Sequence, residues 1–582
     1  MLRLPLFIFL GSGLFALNVV AQTPGTFVPT GSMATPRIDY RATLLNDGRV
    51  LITGGYDGQG LAGAELYDPS SGTFTSGGTM TSPRYGHTAT LLNDGRVLIA
   101  GGSYGRGPSA ELYDPSTGTF TPTGSMVTAD QYLHSATLLG NGKVLISGGG
   151  FQVPNSPQSY RVVPAPPELY DPVTGTFTPA GGGKLTILGS LATLLNNGKV
   201  LLGGYQSGTP LYDPAGDSFT FLPFLFLAGH TATSLTNGTV LIAGGWSPVP
   251  DDDPPAVGTA QIYNPSFGSL GSTGSLLEGR VGHSATLLPG GLVLVAGGED
   301  SSHVLASAEL YDRATGTFTH TGAMSMSRIR HTATLLGDGR VLILGGAPDT
   351  TAELYVPLVR VASAASLTGP LALESLGSLF GSGLANKTES ADPLSPPTTL
   401  GGISLRVRDS SGATSLAPLL YVSPSQINFE VPMGTALGSV ALEVLNAPSE
   451  LSKVEAQVNL VAPGLFASED NTPVAYAVRL EPSGKQTALS VRNTIVLDDR
   501  PVSLVLYATG VRNLPADLAD IRCTVGGTSV PVEYAGPERS GWLTGVDQIN
   551  IRLTPDLKGF GVSNLMVMVD GTLSNTVSVD IR

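Results

Sequence analysis

Cysteine, tryptophan and positive charge are all scarce in this chain of 582 residues. It has one cysteine and two tryptophans, and only 13% of its residues are charged. A single cysteine excludes an internal disulfide framework, so packing must hold the fold together. Lys and Arg number 31 against 45 Asp and Glu, which gives a formal net charge of −14. This acidic balance argues against nucleic acid and anionic membrane surfaces as partners, because both attract basic proteins.

Long helical periodicity and long apolar runs are missing as well. The chain has 76 glycines and 43 prolines, yet 41% of its residues are hydrophobic, a combination typical of all-β proteins. The apolar run Leu4–Leu17 follows Arg3 and leads to a small-residue sequence ending at Ala21. It is too short and too interrupted by glycine for a membrane span, so it predicts a signal peptide over 1–21. We therefore expect a secreted or cell-surface protein with no membrane span in the mature chain.

One sequence motif recurs seven times between residues 22 and 357. Its second copy reads His87-Thr-Ala-Thr-Leu-Leu, then Asn-Asp-Gly, an apolar strand and a double glycine, and later Glu-Leu-Tyr-Asp-Pro and Gly-Thr-Phe. A period of about 50 residues indicates a propeller or another repeat array. Each unit predicts four strands, which we call a to d. The double glycine begins at residues 54, 101, 148, 203, 244, 297 and 345.

The double glycine followed by Tyr-Asp-Pro and an aromatic residue resembles the kelch repeat, although Phe120 and its equivalents stand where many kelch repeats carry Trp. The resemblance implies a kelch-like β-propeller, and the unit count predicts seven blades over 22–357. The last unit ends at Tyr355 without a fourth strand, while a spare Gly25-Thr26-Phe27 precedes the first unit. We expect this N-terminal strand to complete the last blade and close the ring.

A second duplication follows the repeats. Short alternating strands predict two tandem immunoglobulin-like β-sandwich halves, at 358–466 and 467–582. The region 361–582 also resembles the C-terminal domain of exported acidobacterial proteins of the Solibacter type, a family without assigned chemistry, which implies export and display. The segments that carry these two inferences are Ser378–Leu384, Gln426–Pro432, Ala462–Phe466, Val505–Val511, Val525–Gly527, Gln548–Leu553 and Ser574-Asn575.

No residue set identifies a reaction, and no cofactor is predicted. Kelch propellers include galactose oxidase, whose copper site needs a tyrosine crosslinked to cysteine, but the repeats contain no cysteine. Five histidines share one repeat position, which spreads them around a ring, so hydrogen bonds to neighbouring blades are favoured over a metal site. The run Asp251-Asp252-Asp253 could bind calcium but lacks the spacing of a calcium loop, so a solvated loop is favoured. The five histidines are His87, His134, His230, His283 and His331.

Four arginines and four glutamates recur together in units 1, 2, 6 and 7, and two interpretations are open. The arginines could form a cationic arc that binds an anionic ligand in an acidic protein. Alternatively, each could pair with a glutamate of its own unit, which the co-occurrence favours because units 4 and 5 lack both residues. The pairs are Arg37 with Glu65, Arg84 with Glu111, Arg280 with Glu309, and Arg328 with Glu353.

The b–c loops carry nearly all of the length variation, whereas the a–b and c–d turns are uniform. Three long loops, at 150–166, 246–259 and 299–307, include the aromatic residues Phe151, Tyr160 and Trp246. These residues could bind a ligand or simply cap the ring, since variable loops commonly carry recognition. We expect any ligand on the face formed by the b–c and d–a loops, near units 3, 5 and 6.

Three functional classes stay open. The first is an extracellular interaction module that binds protein or glycan through the b–c/d–a face. The second is a carbohydrate-active enzyme with carboxylates in the propeller mouth, and the third is a purely architectural surface protein. The first is favoured because no catalytic motif is present and because function resides in sites rather than in folds.

Overall fold

The computed structural model of the protein confirms the all-β prediction, since its helical segments among the described residues are single 3-10 turns at Gly181–Gly183 and Pro555–Leu557. The predicted signal peptide lies outside the described residues. No helix within the described part of the chain is long and apolar enough to cross a membrane. The structure describes residues 25–582 apart from 103–109, 129–133, 153–161, 184, 187–190, 204–207, 224–228, 247–254, 347–349, 368, 447–448, 469–470, 482–485, 490, 492–493, 499, 501, 514–520 and 539–544.

Seven four-stranded antiparallel sheets are present in the described part of residues 25–356, and we number them 1 to 7 in the order of their first strands. Each repeat unit forms one sheet with the predicted strands a to d in order. Sheets 1 to 4 consist of Arg41–Leu44, Val50–Thr53, Gly63–Asp68 and Thr73–Thr79; Thr88–Leu91, Val97–Ala100, Ala110–Asp114 and Thr119–Pro122; Ser135–Leu138, Val144–Ser147, Glu168–Asp171 and Thr176–Pro179; and Leu191–Leu194, Val200–Gly203, Thr209–Asp213 and Ser218–Leu222.

Sheets 5 to 7 repeat this plan, and sheet 7 takes its fourth strand from the N-terminal end of the described chain. Their strands are Thr231–Ser234, Val240–Ala243, Ala260–Asn264 and Ser269–Ser272; Ser284–Leu287, Val293–Ala296, Ala308–Asp312 and Thr317–His320; and Thr332–Leu335, Val341–Leu344, Ala352–Val356 and Thr26–Pro29.

Local sequence explains these strands. In sheet 2, Gly95 takes a φ of 86° in the a–b turn, a conformation that glycine adopts without steric cost. Strand b, Val97–Ala100, is fully buried because both of its faces pack on neighbouring sheets. On strand c, the buried ring of Tyr113 packs against Phe120 of strand d, with ring centroids 4.7 Å apart. The equivalent tyrosine of strand c is fully buried in all seven sheets.

The sheets are arranged radially. The strand a of every sheet contacts the strand a of two other sheets, in the order 1 to 7 and back to 1. Strand-a residues are mostly half-exposed, whereas the b strands beside them are fully buried. The innermost strands therefore line an opening on the axis of a β-propeller.

The N-terminal strand closes sheet 7, which confirms the closure prediction. Thr26–Pro29 pairs antiparallel with Ala352–Val356, so that Phe27 lies opposite Tyr355 with ring centroids 5.0 Å apart. The carbonyl oxygen of Gly25 also accepts a hydrogen bond from Gly322 of the preceding unit at 2.9 Å. A second link between the two ends of the ring is the Tyr40 hydroxyl, which donates to the carbonyl oxygen of Leu344.

Residues 360–581 form two units, each made of two sheets around its own core. Val461 and Leu465 belong to the second core, although the sequence division at 466 assigns them to the first half. The first unit contains Arg360–Ser363, Leu376–Phe380, Gln426–Glu430, Leu419–Val422 and Glu389–Ser390 in one sheet, and Leu371–Ala372, Ser449–Asn459, Gly438–Asn446, Ile403–Arg408 and Thr414–Leu416 in the other.

The second unit buries Cys523 in its core, and burial raises the pKa of this thiol to about 12. Its first sheet contains Gln486–Leu489, Ala475–Leu480, Val502–Thr509, Asp547–Leu553, Val532–Pro537 and Gly464–Leu465. Its other sheet contains Thr528–Val530, Ile521–Val525, Gly561–Val569, Thr572–Leu573 and Val577–Ile581.

The first C-terminal unit contacts the a–b turns of the propeller. A Cβ added to Gly290, in the a–b turn of sheet 6, would lie 3.0 Å from the ring of Phe380. A Cβ added to Gly339, in the a–b turn of sheet 7, would lie 2.5 Å from the carbonyl oxygen of Gly381. The propeller face formed by the turns is thus partly occupied by the chain itself.

We predict that Phe27→Ala lowers the free energy of unfolding by about 2 kcal/mol, because removal of the ring leaves a cavity beside Tyr355. The matched control is Phe221→Ala in strand d of sheet 4, where the ring is 53% exposed and truncation should cost less than about 1 kcal/mol. Urea unfolding followed by intrinsic fluorescence measures both changes. Equal losses in the two variants would contradict a closing role for Phe27.

Candidate functional site

Four buried ion pairs join the d–a connections to strand c. In sheet 2, Arg84 donates to Glu111 through Nε at 2.9 Å and through Nη2 at 2.7 Å, and both side chains are at most 1% exposed. Both nitrogen atoms donate to the same carboxylate oxygen, Oε1, and hydrogen bonds between two charged groups are stronger than those between neutral ones. The other three pairs, Arg37 with Glu65, Arg280 with Glu309 and Arg328 with Glu353, have nitrogen–oxygen distances of 2.6, 2.7 and 3.1 Å.

The backbone completes each pair. Arg84 Nη1 donates to the carbonyl oxygen of Gly101, the first residue of the double glycine in its own unit, at 2.8 Å. The second carboxylate oxygen of Glu111 accepts the Thr81 N–H at 2.7 Å. The carbonyl oxygen of Arg84 accepts the N–H of Gly55, from the double glycine of the preceding unit, at 2.8 Å. One arginine thus ties its connection to two successive sheets, and we call this arrangement the arginine clamp.

Unit 3 keeps the glutamate without a clamp arginine. The buried carboxylate of Glu168 accepts the N–H groups of Val127 and Thr128, at 2.8 and 2.6 Å. Gln131, which takes the arginine position in this unit, lies outside the described residues. Backbone N–H groups therefore satisfy this buried acceptor.

The pairing interpretation of the arginines is confirmed. Arg37, Arg84, Arg280 and Arg328 are buried and bonded to glutamate and backbone oxygen atoms. None of these four guanidinium groups is open to a ligand. The alternative interpretation, a cationic arc that binds an anion, is therefore wrong for these positions. The physical reason is that a buried charge needs a partner, and the same repeat supplies one on strand c.

The repeat histidines also link neighbouring sheets, as the sequence predicts. Nε2 of His87 lies 2.9 Å from the Thr53 hydroxyl of the preceding sheet, and Nε2 of His331 lies 2.7 Å from the Ser284 hydroxyl. The pairs His134–Thr88 and His283–Thr231 are similar, at 3.2 and 3.0 Å. Among the described residues, no group of three or more His, Cys, Asp or Glu could hold a metal ion.

Burial keeps these histidines neutral. Desolvation lowers the pKa of His134 and His283 to about 3 and that of His331 to about 4, and it lowers the pKa of His87 well below 6.5. His303 and His320, which lie off the repeat pattern, are exposed. The buried rings therefore resist protonation that the unfolded chain would accept.

The aromatic residues predicted on the loop face are only partly described. Phe151 lies on a short strand, Gly150–Gln152, which pairs with Val162–Pro164 and makes the long b–c loop of unit 3 a β-hairpin. Trp246 is half-buried; its backbone pairs with Ala256, and its indole lies over Gly229 in the d–a connection leading to sheet 5. Trp246 thus takes part in capping the loops. Tyr160 and the run Asp251-Asp252-Asp253 lie outside the described residues.

A second aromatic cluster, missed from the sequence, lies between sheets 1 and 2 on the same face. Tyr56 follows the double glycine of unit 1, and Tyr85 precedes strand a of sheet 2; their ring centroids are 5.2 Å apart. Tyr56 is 38% exposed, and its backbone pairs with Ile38, which is 47% exposed. The available signal was that Tyr56 occupies the same repeat position as Trp246.

We predict that Arg84→Ala lowers the free energy of unfolding by about 3–5 kcal/mol, because it leaves the Glu111 carboxylate buried and unpaired. The control is Arg96→Ala, which removes a 2.6 Å ion pair with Asp94 that lies on the surface of the same sheet. That change should cost less than about 1 kcal/mol. Urea unfolding compares the two variants, and similar losses would show that the clamp adds nothing beyond a surface pair.

Acidification should destabilise the propeller through its histidines. Their pKa values are lowered in the folded state, so their contribution is complete above pH 6.5 and is lost as the pH falls toward 4. Between pH 7 and pH 5.5 we expect a loss of about 1 kcal/mol per buried histidine. His331→Gln should lower the proton uptake on unfolding by about one at pH 5.5. Unchanged proton uptake in this variant would refute this account.

One comparison with known proteins agrees with the repeat analysis. The Kelch motif family model matches residues 40–81. A fungal alcohol oxidase of the AA5 family, in complex with copper, aligns over 75% of this chain and 100% of its own, with 17% identity and a TM-score of 0.48. No curated protein matches the chain. The kelch match and the four-stranded sheets together support a kelch-type β-propeller.

Proposed function

We propose that the protein is an exported interaction module that binds a protein or a glycan through the b–c/d–a face of its propeller. The observation that carries this proposal is the difference between the two faces. The a–b turns of sheets 6 and 7 pack on the first C-terminal unit at Gly290 and Gly339, whereas the opposite face exposes apolar side chains on its loops.

Six large apolar side chains on the b–c and d–a segments are each at least 38% exposed. Exposed apolar groups on loops held by a rigid scaffold are typical of an interaction surface. The turn face also exposes such groups, Val173 and Phe267 among them, but they lie singly in the uniform c–d turns. The six residues of the loop face are Ile38, Tyr56, Val127, Leu277, Val304 and Met326.

The proposal also covers the number of propeller blades, the two C-terminal halves and the export of the protein. The cyclic contacts among the a strands support seven blades over 22–357, and the paired sheets with separate cores support two immunoglobulin-like halves that divide before Val461. The signal sequence over 1–21 and the Solibacter-type C-terminal resemblance support export and display at the cell exterior.

A carbohydrate-active enzyme would need carboxylates open to the propeller mouth. The repeat glutamates Glu65, Glu111, Glu168, Glu309 and Glu353 are instead buried and hydrogen-bonded. No described feature favours the catalytic alternative over binding, and a purely architectural role is an outcome of the experiment below.

The experiment combines a glycan array with a pull-down from the envelope of the producing cell. We predict that Tyr56→Ala with Trp246→Ala weakens any detected binding at least about tenfold, because aromatic side chains at interfaces commonly contribute 2 kcal/mol or more. Val173→Ala, in a c–d turn where the side chain is 94% exposed, is the control and should leave binding unchanged. Loss with Val173→Ala alone would place the site on the turn face. Turnover of a bound glycan would indicate an enzyme, and binding to nothing would leave an architectural role.

A further inference from the structure

One strand-a residue departs from the repeat in a way that no structural role explains. The a strands begin with Thr or Ser in sheets 2, 3, 5, 6 and 7 and with Leu191 in sheet 4, but sheet 1 begins with Arg41. Arg41 is the one charged residue in the seven a strands, all of which are described. The hydroxyls at this position pair with the next unit's histidine, as Thr88 does with His134. Without a hydroxyl in sheet 1, His87 pairs with Thr53 of strand b instead.

Arg41 lies just inside the axial opening on the loop face. Strand a follows the d–a connection, so its first residue is the one nearest to that mouth. Arg41 is half-buried, like the other residues of its strand. Its charge helps to lower the pKa of both His87 and His134, after desolvation, although these rings precede the a strands of sheets 2 and 3.

Its guanidinium group has a single polar contact among the described residues. Arg41 Nη1 donates to the carbonyl oxygen of Tyr40 at 2.8 Å. Asp39 attracts it through space without a hydrogen bond, and burial lowers the pKa of Arg41 below 12.5. The clamp arginines, by contrast, each contact a carboxylate. A largely buried cation whose other donors have no hydrogen-bond partner among the described residues is the arrangement of a binding group for an anion.

One feature of the loop face bears on the ligand. The rings of Tyr56 and Tyr85 lie between sheets 1 and 2, in the b–c loop of unit 1 and in the connection that leads to sheet 2, and aromatic faces suit stacking on a sugar ring.

We propose that the axial opening binds a glycan through a single carboxylate, with Arg41 as the group that receives it and the Tyr56–Tyr85 pair as the platform for the neighbouring sugar. The inference rests on the proposed binding function and deepens it. A uronate at the end of an otherwise neutral chain fits one cation beside aromatic rings. A polyacidic peptide fits poorly, because a protein with a net charge of −14 would repel its other carboxylates.

The test uses glucuronosyl-xylotriose and its carboxyl-reduced counterpart, with affinities measured by titration calorimetry. The wild-type chain should prefer the uronate at least about tenfold, as expected for one charge-assisted contact. Arg41→Thr should abolish the preference and still fold, because threonine occupies this position in sheets 2, 5 and 7. Arg41→Lys should retain part of the preference, because lysine keeps the charge but lacks the planar guanidinium group. Arg49→Thr, which removes an exposed cation from the a–b turn of the same sheet, should leave it intact.

Several outcomes would overturn the assignment: no preference in the wild-type chain, a preference that survives in Arg41→Thr with an unchanged unfolding midpoint, or equal affinity for tetraglutamate. The broader proposal fails separately. If a neutral glycan or an envelope protein binds through Tyr56 while Arg41→Thr has no effect, the loop face is the binding surface and the carboxylate assignment is wrong. If nothing binds that face, both proposals fail.

Discussion

The arginine clamp is the interaction on which four of the seven repeat units, 1, 2, 6 and 7, depend. Each clamp places a cation in a site without access to solvent, which is tolerable only because a carboxylate and carbonyl oxygen atoms meet the guanidinium group there. The arginine carbonyl reaches the preceding unit's double glycine, so the same residue sets the distance between consecutive sheets. Where the arginine is missing, as at Glu168, the backbone supplies the hydrogen bonds instead. The connections of units 1, 2, 6 and 7 are thereby held to the sheets on both sides.

This arrangement divides the residues of the propeller into two groups. Residues that recur in most units, such as the buried tyrosines, the histidines and the clamp pairs, hold the sheets together and leave no free polar surface. Residues that depart from the repeat, such as Tyr56, Trp246 and Arg41, lie on the loops or at the axial opening. The seven repeat units fold with the repeated residues alone. A residue that differs from the repeat and adds an exposed aromatic ring or an unpaired charge therefore indicates a role in ligand recognition. The contact of the C-terminal unit with the opposite turns is consistent with this division.

The repeated features could be predicted from the sequence because each of them occurs in several repeat units. The four strands per unit, the closing strand at Phe27 and the Arg–Glu pairs all follow from comparing units, and the structure has them. Features that occur once were missed. The Tyr56–Tyr85 contact joins a b–c loop to a connection of the next unit, which no single unit predicts. The hairpin that starts at Gly150 depends on pairing across a loop of ordinary composition. Val461 and Leu465 pack in the second C-terminal core because tertiary contacts, rather than local pattern, decide where a unit begins.

The central claim is that ligands meet the loop face, while the repeated residues serve the scaffold. Hydrogen–deuterium exchange, measured with and without a glycan or envelope fraction that the protein retains, tests this claim most directly. The account predicts slower exchange in peptides covering 38–42, 55–61 and 83–87, with no change in the a–b turns at 46–48 and 93–95. Protection confined to those turns or to the C-terminal units, with the loop peptides unchanged, would contradict it.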